Sequence, residues 1–473
     1  MRAACFAECQ HAAKMRFRQK TARRPCSPCR GSIAQGAKIR YAGYMKNLTN
    51  DILSTAYADN LLKRFLKYVQ IYSESDSAAA DGGAQPSTPQ QWDMAKALSA
   101  ELQSLGLEDV QTTDHCYTYA RLPATKDCES AASFCLLAHM DTVDEVSGKD
   151  VKPLVHKDYA GNAIVLPSGI TIDPAADEAL LQAGKEHDTV ITSDGSTLLG
   201  ADDKAGVAEI MTAIEFLVQH PELPHGTIEV IFSPDEETGH GMDNVPLALL
   251  RSKQCYTVDG GHIGGLETEC FNAFRSDVVF TGKAKHTGSA RPDMVNAVSM
   301  SASFVSNLPR QEMPETTDGY MGFYAPMEVT ASMESAKVSL LLRDFTKEGM
   351  ERRKHIVELV AQMTAETFGG TVQVSHTQQY LNMKETMDKN PAVTEKLVAA
   401  YRDAGITPEF TPIRGGTDGS RLTEMGIPTP NIFTGGHNYH SRYEWASLRQ
   451  MICATEVLIQ LAAQWAHSPA EKN

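Results

Sequence analysis

The order of apolar and polar positions along the chain predicts helices that alternate with short buried strands. The apolar spacing of an amphipathic helix occurs in three segments of the first half, at 52–71, 88–105 and 205–220. Short continuous apolar runs, typical of strands buried on both faces, occur at 134–138, 227–232 and 256–258. This alternation favours an α/β fold built on a mixed sheet.

The remaining segments of the same part are less regular. Residues 73–89 read as a small polar loop, and 110–122 as one strand. Residues 144–188 are rich in Pro, Gly, Asp and Lys and have little periodicity, so we expect a surface excursion that ends in a strand at 188–192. The tail predicts a helix at 391–403, a strand at 429–433 and a closing helix at 447–467.

A different pattern fills residues 271–381. Its periodicities predict strand, helix, two strands, helix and strand, which is the order of a ferredoxin-like α+β module. We therefore expect this module to be inserted into a larger α/β domain formed by residues 45–270 and 382–473.

Composition narrows the class of protein. The 473 residues include 42% hydrophobic ones and carry a net charge of −15, which argues against nucleic acid or an anionic membrane as partner. No run reaches the eighteen apolar residues of a membrane span. The ten cysteines are scattered and nothing resembles a secretory signal, so we expect reduced thiols and a cytoplasmic enzyme.

Residues 1–44 differ from the rest of the chain, because they are rich in Lys and Arg and contain a single acidic residue, Glu8. We expect a disordered or artefactual extension ahead of Met45. Two alternatives stay open: a zinc site and a targeting peptide. The zinc site would use the C-x3-C and C-x2-C pairs formed by Cys5, Cys9, Cys26 and Cys29.

Acidic residues and histidines follow the predicted buried strands. His139 and Asp141 come directly after the run 134–138, Glu236 and Glu237 follow 227–232, and Asp259 follows 256–258. Open α/β sheets place their sites at the carboxyl ends of such strands. Each residue alone has an ordinary explanation, such as a buried histidine or a solvated loop pair, but these strand ends together favour one site.

The loop Leu198–Gly206 adds Asp202 at the start of a predicted helix, where Asp202 would by itself read as a helix cap. Histidine nitrogen and carboxylate oxygen are zinc ligands, and one carboxylate can bridge two cations. If Asp202 is shared, two zinc ions receive three ligands each from the set His139, Asp202, Glu237, Asp259 and His440. Glu236 is then free to act as a general base.

Six ordered motifs resemble a family of co-catalytic dizinc peptidases and, within it, the tripeptide aminopeptidases. They are HMDT (139–142), GADDKAG (200–206), PDEETGHG (234–241), YTVDGG (256–261), RGGTDG (414–419) and FTGGHNYH (433–440). The resemblance runs from Met45 to the C-terminus. It implies one zinc on His139, Asp202 and Asp259, and a second zinc on Asp202, Glu237 and His440, so that two zinc ions per subunit are bridged by Asp202.

The resemblance also implies roles around the zinc ions. Glu236 would activate a zinc-bound water, Asp141 would orient His139, and His440 rather than His437 would be the last ligand. The module at 271–381 corresponds to the family's lid and dimerisation domain, so a homodimer is expected. The implied substrate contacts are His286, Asn296, Arg343 and Arg414, the two arginines holding the substrate carboxylate.

Three departures from the family pattern leave fine specificity open: Thr287, Asp203 and Ser441–Tyr443. The resemblance implies an aminopeptidase that removes the N-terminal residue of tripeptides. A dipeptidase or N-acyl amino acid amidase of the same family is an alternative, because the metal centre serves any amide. A catalytically silent binding protein is a third reading, against which the presence of Glu236 counts.

Overall fold

The computed structural model of the chain describes residues 56–466 and residue 468. The predictions for residues 1–44, including both alternatives, lie outside the described residues, as does the predicted start of the first helix at Ile52. Within the described range, no helix combines the length and apolarity that a bilayer crossing requires.

The helices of the described residues follow the chain in this order: α1 (Ala56–Val69), α2 (Ser77–Asp81), α3 (Gln91–Ser104), α4 (Glu178–Lys185), α5 (Ala201–Gln219), α6 (Ala297–Asn307), α7 (Lys347–Phe368), α8 (Lys384–Lys389), α9 (Pro391–Asp403), α10 (Asp418–Glu424) and α11 (Leu448–Trp465). The amphipathic segments of the sequence account for α1, α3, α5, α9 and α11, so those predictions are confirmed.

The strands of the same residues are β1 (Glu108–Thr112), β2 (Thr118–Leu122), β3 (Phe134–His139), β4 (Leu154–His156), β5 (Ile164–Val165), β6 (Thr171–Ile172), β7 (Val190–Thr192), β8 (Ile228–Ser233), β9 (Cys255–Gly260), β10 (Gly265–Glu267), β11 (Asn272–Thr281), β12 (Phe323–Ala331), β13 (Ser335–Asp344), β14 (Thr371–Tyr380), β15 (Glu409–Phe410), β16 (Asn431–Phe433), β17 (Gly436–His437) and β18 (Trp445–Ser447).

An eight-stranded sheet in the order β1-β2-β8-β3-β9-β16-β10-β15 forms the centre of the larger part. The strands β8, β3, β9 and β16 are parallel neighbours, β1 and β2 pair antiparallel, and β10 is antiparallel to β16 and parallel to β15. Every residue of β3 and β8 is buried, as their unbroken apolar runs predict. The predicted mixed α/β sheet is therefore confirmed.

Helix α5 packs very closely on this sheet. A Cβ added at Gly206 would lie 1.8 Å from the carbonyl oxygen of Val258 in β9, so no side chain fits there. The backbone leaves helical geometry at Asp202 and Asp203, and the regular helix begins only after them. The predicted helix at 205–220 thus matches the regular part of α5, and its irregular start carries the acidic pair.

A second sheet is antiparallel throughout, in the order β12-β13-β11-β14, and helices α6 and α7 pack on it. We call these six elements, together with the segments that join them, the antiparallel module. Their order along the chain is the predicted strand, helix, strand, strand, helix, strand. The module has its own buried core, which includes Phe280, Phe304, Tyr324, Leu340 and Val357.

Two irregular segments differ from the predictions. The single strand expected at 110–122 is a hairpin, because the chain turns at 113–116 and Cys116 adopts a left-handed φ of 69°. The excursion at 144–188 contains β4, β5, β6 and α4, and it packs a small core around Leu180, Ile172 and Trp445. The predicted surface excursion thus contains short strands and a helix that its weak periodicity did not indicate, and among the described residues of their core only Trp445 joins from far along the chain.

Candidate metal centre

Three parallel strands end at the same edge of the large sheet. His139 is the last residue of β3, Asp259 lies near the end of β9, and the turn after β8 carries Glu236 and Glu237. Because β8, β3 and β9 are adjacent, their carboxyl ends bring these four side chains together. Helix α5 delivers Asp202 to the same edge.

Asp202 lies between two histidines and contacts each with a different oxygen. Its Oδ1 is 2.9 Å from His139 Nε2, and its Oδ2 is 3.2 Å from His440 Nε2. Asp259 Oδ1 lies 3.7 Å from His139 Nε2, and Glu237 Oε2 lies 3.0 Å from His440 Nε2. The five predicted ligands are therefore assembled by the fold. With Glu236 they form what we call the carboxylate–histidine cluster.

Two triads within this cluster have metal-ligand spacing. One consists of His139, Asp202 and Glu237, the other of His139, Glu236 and Asp259, and in each the ligand atoms lie within 4.8 Å of one another. Glu236 is thus as close to His139 and Asp259 as a ligand would be. Distance alone does not separate a ligating role for Glu236 from the predicted role of base.

Burial and crowding raise the pKa values of several carboxyl groups in the cluster. Burial raises the pKa of Glu236 well above its ordinary value, and the negative charges of Asp259, Asp418 and Glu237 add to this. The pKa of Asp259 is likewise raised well above its usual range, by burial and by the charges of neighbouring carboxylates. A cation in the cluster would relieve this repulsion.

The histidines shift in the direction expected beside carboxylates. Burial lowers the pKa of His139, but Asp141, Asp202 and Asp259 outweigh it and hold that pKa well above the usual value. Hydrogen bonds to Asp202 and Glu237 raise the pKa of His440 to about 11. Burial raises the pKa of Glu237 to about 7, and the charge of Asp202 adds to this. The cluster thus concentrates negative charge around two imidazoles.

Asp141 supports the cluster from behind. Its two carboxylate oxygens accept the backbone N–H groups of Glu236 and Glu237 at 3.1 and 3.2 Å, and its Oδ1 lies 3.3 Å from His139 Nδ1. That nitrogen and Oε1 of Glu237 are buried atoms without a hydrogen-bond partner. Asp141 therefore faces His139, as predicted, and it also positions the Glu236–Glu237 turn. The sequence did not indicate its contacts with this turn.

Glu444 is a buried carboxylate that sequence reasoning missed. It is 1% exposed, and its two oxygens accept the N–H groups of Leu199, Gly200, Ala201 and Asp202 at 2.7 to 3.1 Å. Burial raises its pKa to about 7, and these N–H groups oppose the shift. Its sequence signal is slight: it lies four residues after His440, directly before the buried residues Trp445 and Ala446.

Two further buried carboxylates lie behind the cluster. Asp203 accepts the N–H groups of His139 at 3.2 Å and Gly206 at 3.1 Å, so it joins the end of β3 to the start of α5. Asp418 accepts the hydroxyl of Ser233 at the end of β8. The family pattern has asparagine at this position, and its one accepting oxygen could also bind the N–H of His139. The departure to Asp203 is therefore compatible with the same link to His139.

His437 and His440 take different places. The ring of His437 stacks on Trp445 at 4.1 Å and hydrogen bonds with Gln450 Oε1 at 3.0 Å. His440 faces Asp202 and Glu237, as given above. The fold therefore brings His440 rather than His437 into the cluster.

The four predicted substrate contacts lie outside the cluster. His286 is exposed, and its Nδ1 accepts the N–H of Gly288 at 3.2 Å. Asn296 caps α6 by accepting the N–H of Val298 at 2.9 Å. Among the described residues, no hydrogen bond or ion pair joins His286 or Asn296 to the cluster. Their hydrogen bonds within the chain are to neighbouring residues.

The two arginines differ from each other. Arg343, near the end of β13, is 8% exposed; it donates from Nη1 to the carbonyl of Leu342 at 3.0 Å and lies 5.5 Å from the ring centre of Tyr380. Arg414 donates to the carbonyls of Gly319, Met321 and Thr317 at 2.7 to 3.3 Å. Arg414 is thus bound to the segment 317–321, whereas Arg343 contacts Leu342 and Tyr380.

Comparisons with known proteins agree with this geometry. The model of peptidase family M20/M25/M40 matches residues 192–464. Peptidase T of Geobacillus sp. (strain WCH70) is 42% identical over 404 residues, covering 85% of this chain and 98% of that protein. Peptidase T of Clostridium perfringens (strain SM101 / Type A) is 43% identical over 401 residues, covering 84% and 97%.

Solved structures share the fold. Aminopeptidase PepT from Bacillus cereus ATCC 10987 superposes with a TM-score of 0.68 at 24% identity, covering 86% of this chain and 99% of that one. A tripeptidase from Staphylococcus aureus subsp. aureus Mu50 gives a TM-score of 0.68 at 21% identity, covering 87% and 99%. A dinuclear metal-binding peptidase of Bacillus subtilis gives 0.59 at 14% identity, covering 86% and 98%.

The resemblance that the six motifs predict is confirmed by the extent of these matches. The similarity to the two bacterial relatives covers nearly their whole length, and the family model spans more than half of the chain. The chain therefore belongs to peptidase family M20/M25/M40 and is, within that family, a metallopeptidase of the peptidase T type.

Proposed function

We propose that the chain is a tripeptide aminopeptidase that hydrolyses the first peptide bond of tripeptides. The observation that carries this proposal is the position of Asp202, whose two oxygens face His139 and His440 separately at 2.9 and 3.2 Å. That arrangement, in a chain of the peptidase T type, is suited to two cations sharing one carboxylate.

The residues present fit two cations, and we propose zinc. His139, Asp202 and Asp259 would hold one, and Asp202, Glu237 and His440 the other, in an oxygen and nitrogen donor set typical of catalytic zinc. The buried Oε1 of Glu237, which has no hydrogen-bond partner, is an acceptor that such a cation would satisfy. When bound, the cations supply Lewis acidity that polarises the scissile carbonyl and lowers the pKa of the attacking water.

Glu236 is proposed as the general base. Its carboxylate lies beside His139 and Asp259, and Asp141 fixes its backbone N–H at 3.1 Å. In this role it accepts the proton of the attacking water at a carboxylate oxygen and delivers it to the amine that leaves. Burial raises the pKa of Glu236 in the absence of metal ions, and the charge of bound cations would oppose this rise.

The substrate's carboxyl end is proposed to be read by the arginines. Arg343 donates from Nη1 to the carbonyl of Leu342 and lies beside Tyr380 at the end of β14. Arg414 holds the segment 317–321 of the antiparallel module by three backbone carbonyls. Arg343 would bind the carboxylate, and Arg414 would hold the segment beside it, so that the carboxylate is fixed at one distance from the cations; this selects for the length of a tripeptide.

The antiparallel module is proposed to be the lid and dimerisation domain, with residues 45–270 and 382–473 forming the catalytic domain. The exposed position of His286 supports a role toward a second subunit. Co-expression of a Glu236→Gln chain with a His286→Ala chain tests this. Recovery of activity in the mixed dimer means that His286 completes its partner's site, and no recovery contradicts a role across the dimer.

The deciding experiment for the activity is an assay of the purified chain, loaded with zinc or cobalt, against matched di-, tri- and tetrapeptides and N-acyl amino acids. We expect kcat/KM to be highest for tripeptides, with release of the N-terminal residue. Preferred turnover of dipeptides or N-acyl amino acids would replace this proposal with one of the two amidase readings. Metal binding with no turnover of any substrate would favour a silent binding protein.

We propose a cytoplasmic location. The six cysteines of the described residues are free thiols, five of them buried, as expected of a protein that keeps its cysteines reduced. Fractionation of cells with an antibody to the chain tests this, and recovery from the medium or an extracytoplasmic fraction contradicts it.

A further inference from the structure

The segment before α5 presents a row of backbone N–H groups to one carboxylate. Gly200 has a left-handed φ of 81°, and the N–H groups of residues 199–202 all point to Glu444. Leu199 and Gly200 donate to one oxygen, and Ala201 and Asp202 donate to the other. Such a run of N–H groups is an anion site, and here the anion is a side chain of the protein itself.

Glu444 also lies between the two arms that carry Asp202 and His440. Strand β7 pairs with β18, and Thr192 stands opposite Trp445. The chain runs from β7 to Asp202 in one direction, and from His440 into β18 in the other. The arms meet again where Asp202 Oδ2 and His440 Nε2 lie 3.2 Å apart. Glu444, the residue before Trp445, therefore links the two arms by hydrogen bonds. We call the two arms, with the β7–β18 pairing and the Glu444 hydrogen bonds that join them, the frame.

The other ligands have independent support from the large sheet. His139 ends the buried strand β3, and its N–H is held by Asp203 at 3.2 Å. Asp259 lies in β9, and its N–H donates to Asn431 Oδ1 at 3.1 Å. His440 belongs to no strand, has a left-handed φ of 55°, and its side chain is 43% exposed. Its position relative to Asp202 depends on the frame.

We propose that Glu444 is the positioning residue that fixes the spacing between Asp202 and His440, and that it thereby sets the affinity of the cation site formed by Asp202, Glu237 and His440. The site formed by His139, Asp202 and Asp259 depends on it much less. This inference rests on the metal centre of the proposed function, but it concerns a residue that contacts neither cation nor substrate.

The test is calorimetric titration of metal-free protein with Zn²⁺, comparing the wild type with Glu444→Gln. The amide keeps the size of the side chain but replaces one acceptor with a donor that opposes two N–H groups. We expect the wild type to bind two ions, and the variant to bind one with native affinity and the second about 10- to 100-fold more weakly. Equal affinities in both proteins would overturn the inference.

Glu145→Gln is the matched control. Glu145 Oε2 lies 3.8 Å from His440 Nδ1 and its side chain is 68% exposed, so this change removes a neighbouring charge without touching the segment 199–202. We expect it to bind both ions as the wild type does. An unequal loss as large as that of Glu444→Gln would mean that charge, and not the frame, explains the effect.

Glu444→Asp covers the case in which Glu444→Gln does not fold. Its carboxylate is one methylene shorter and reaches fewer of the N–H groups, so we expect a smaller loss, again confined to one ion. An equal loss at both sites, together with a lower Tm of the metal-free variant, would show a merely structural role and overturn the inference. If the wild type itself binds no ion, the proposed metal centre is wrong, and the role of Glu444 is wrong with it. If the wild type binds two ions and the variants bind them equally well, only the role of Glu444 is wrong.

Discussion

The carboxylate–histidine cluster and the antiparallel module differ in how their predicted functional residues are held. All cluster residues except His440 lie at or just after strand ends of the large sheet or at the start of α5, and the ion-pair contacts of the cluster join its members to one another. His286 and Asn296 are placed by a short turn and a helix cap, and their contacts stay local. Only the cluster residues, and not His286 or Asn296, contact one another within one chain as the residues of a single site would.

This difference has a physical origin. Burying several carboxylates together raises their pKa values and costs free energy, and a bound cation would reduce this cost. A helix cap such as Asn296 stabilises the fold by itself. The cluster is therefore suited to bind cations, whereas the proposed roles of the module's residues involve a substrate or a second subunit.

The largest expected effect separates the two glutamates of the cluster. Glu236→Gln should keep both ions and lower kcat by about 10²- to 10⁴-fold, because the amide cannot accept the proton of the attacking water. Glu237→Gln should instead lose affinity for one ion. Metal analysis beside steady-state kinetics checks both. Loss of metal from the Glu236 variant would make Glu236 a ligand, which its distance to His139 and Asp259 permits.

The next effect concerns the arginines. Arg343→Ala should lower kcat/KM for tripeptides by about 10- to 150-fold, since a charge-assisted hydrogen bond contributes about 1.5–3 kcal/mol. Tripeptide amides, which lack the carboxylate, should be poor substrates and lose little further. The measurement is kcat/KM on matched acids and amides.

Arg414→Ala sharpens the same comparison. Because Arg414 holds three carbonyls of the segment 317–321, its loss should lower kcat/KM on acids and amides alike. A loss confined to acids, equal to that of Arg343→Ala, would show that both arginines contact the carboxylate directly.

The smallest effect tests the cap. Asn296→Ala should lower the free energy of unfolding by about 0.5–2 kcal/mol, because its side chain caps α6, and a fall in kcat/KM beside it would support the substrate contact that the resemblance implies. Ser299→Ala, at an exposed position of the same helix, is the control and should change neither. A loss of kcat/KM without a loss of stability would make Asn296 a substrate contact.

Much of the fold follows from the sequence because its strongest signals are local. The unbroken apolar runs of β3, β8 and β9 and the acidic residues after them predict both the strands and the edge at which they meet. The periodicity of residues 271–381 likewise predicts all six elements of the antiparallel module.

What the sequence did not indicate depends on partners distant along the chain. Trp445 packs into the small core at 144–188 from far along the chain. The role of Glu444 is visible only from the N–H groups of residues 199–202 that it accepts. The donors of Arg414 are taken by carbonyls of 317–321, and no pattern of side chains marks a carbonyl as an acceptor. A local reading therefore sees these residues as ordinary surface or loop positions.

The place of β16 between β9 and β10 has a consequence for biosynthesis. Asp259 and its backbone partner Asn431 are 172 residues apart, so at roughly 5–20 residues per second the ribosome adds Asn431 about 9–34 s after Asp259. Meanwhile the antiparallel module, with neighbouring pairings and its own core, emerges complete. His440 follows Asn431 in the chain, so a nascent chain that has not yet reached His440 lacks one of the five proposed ligands.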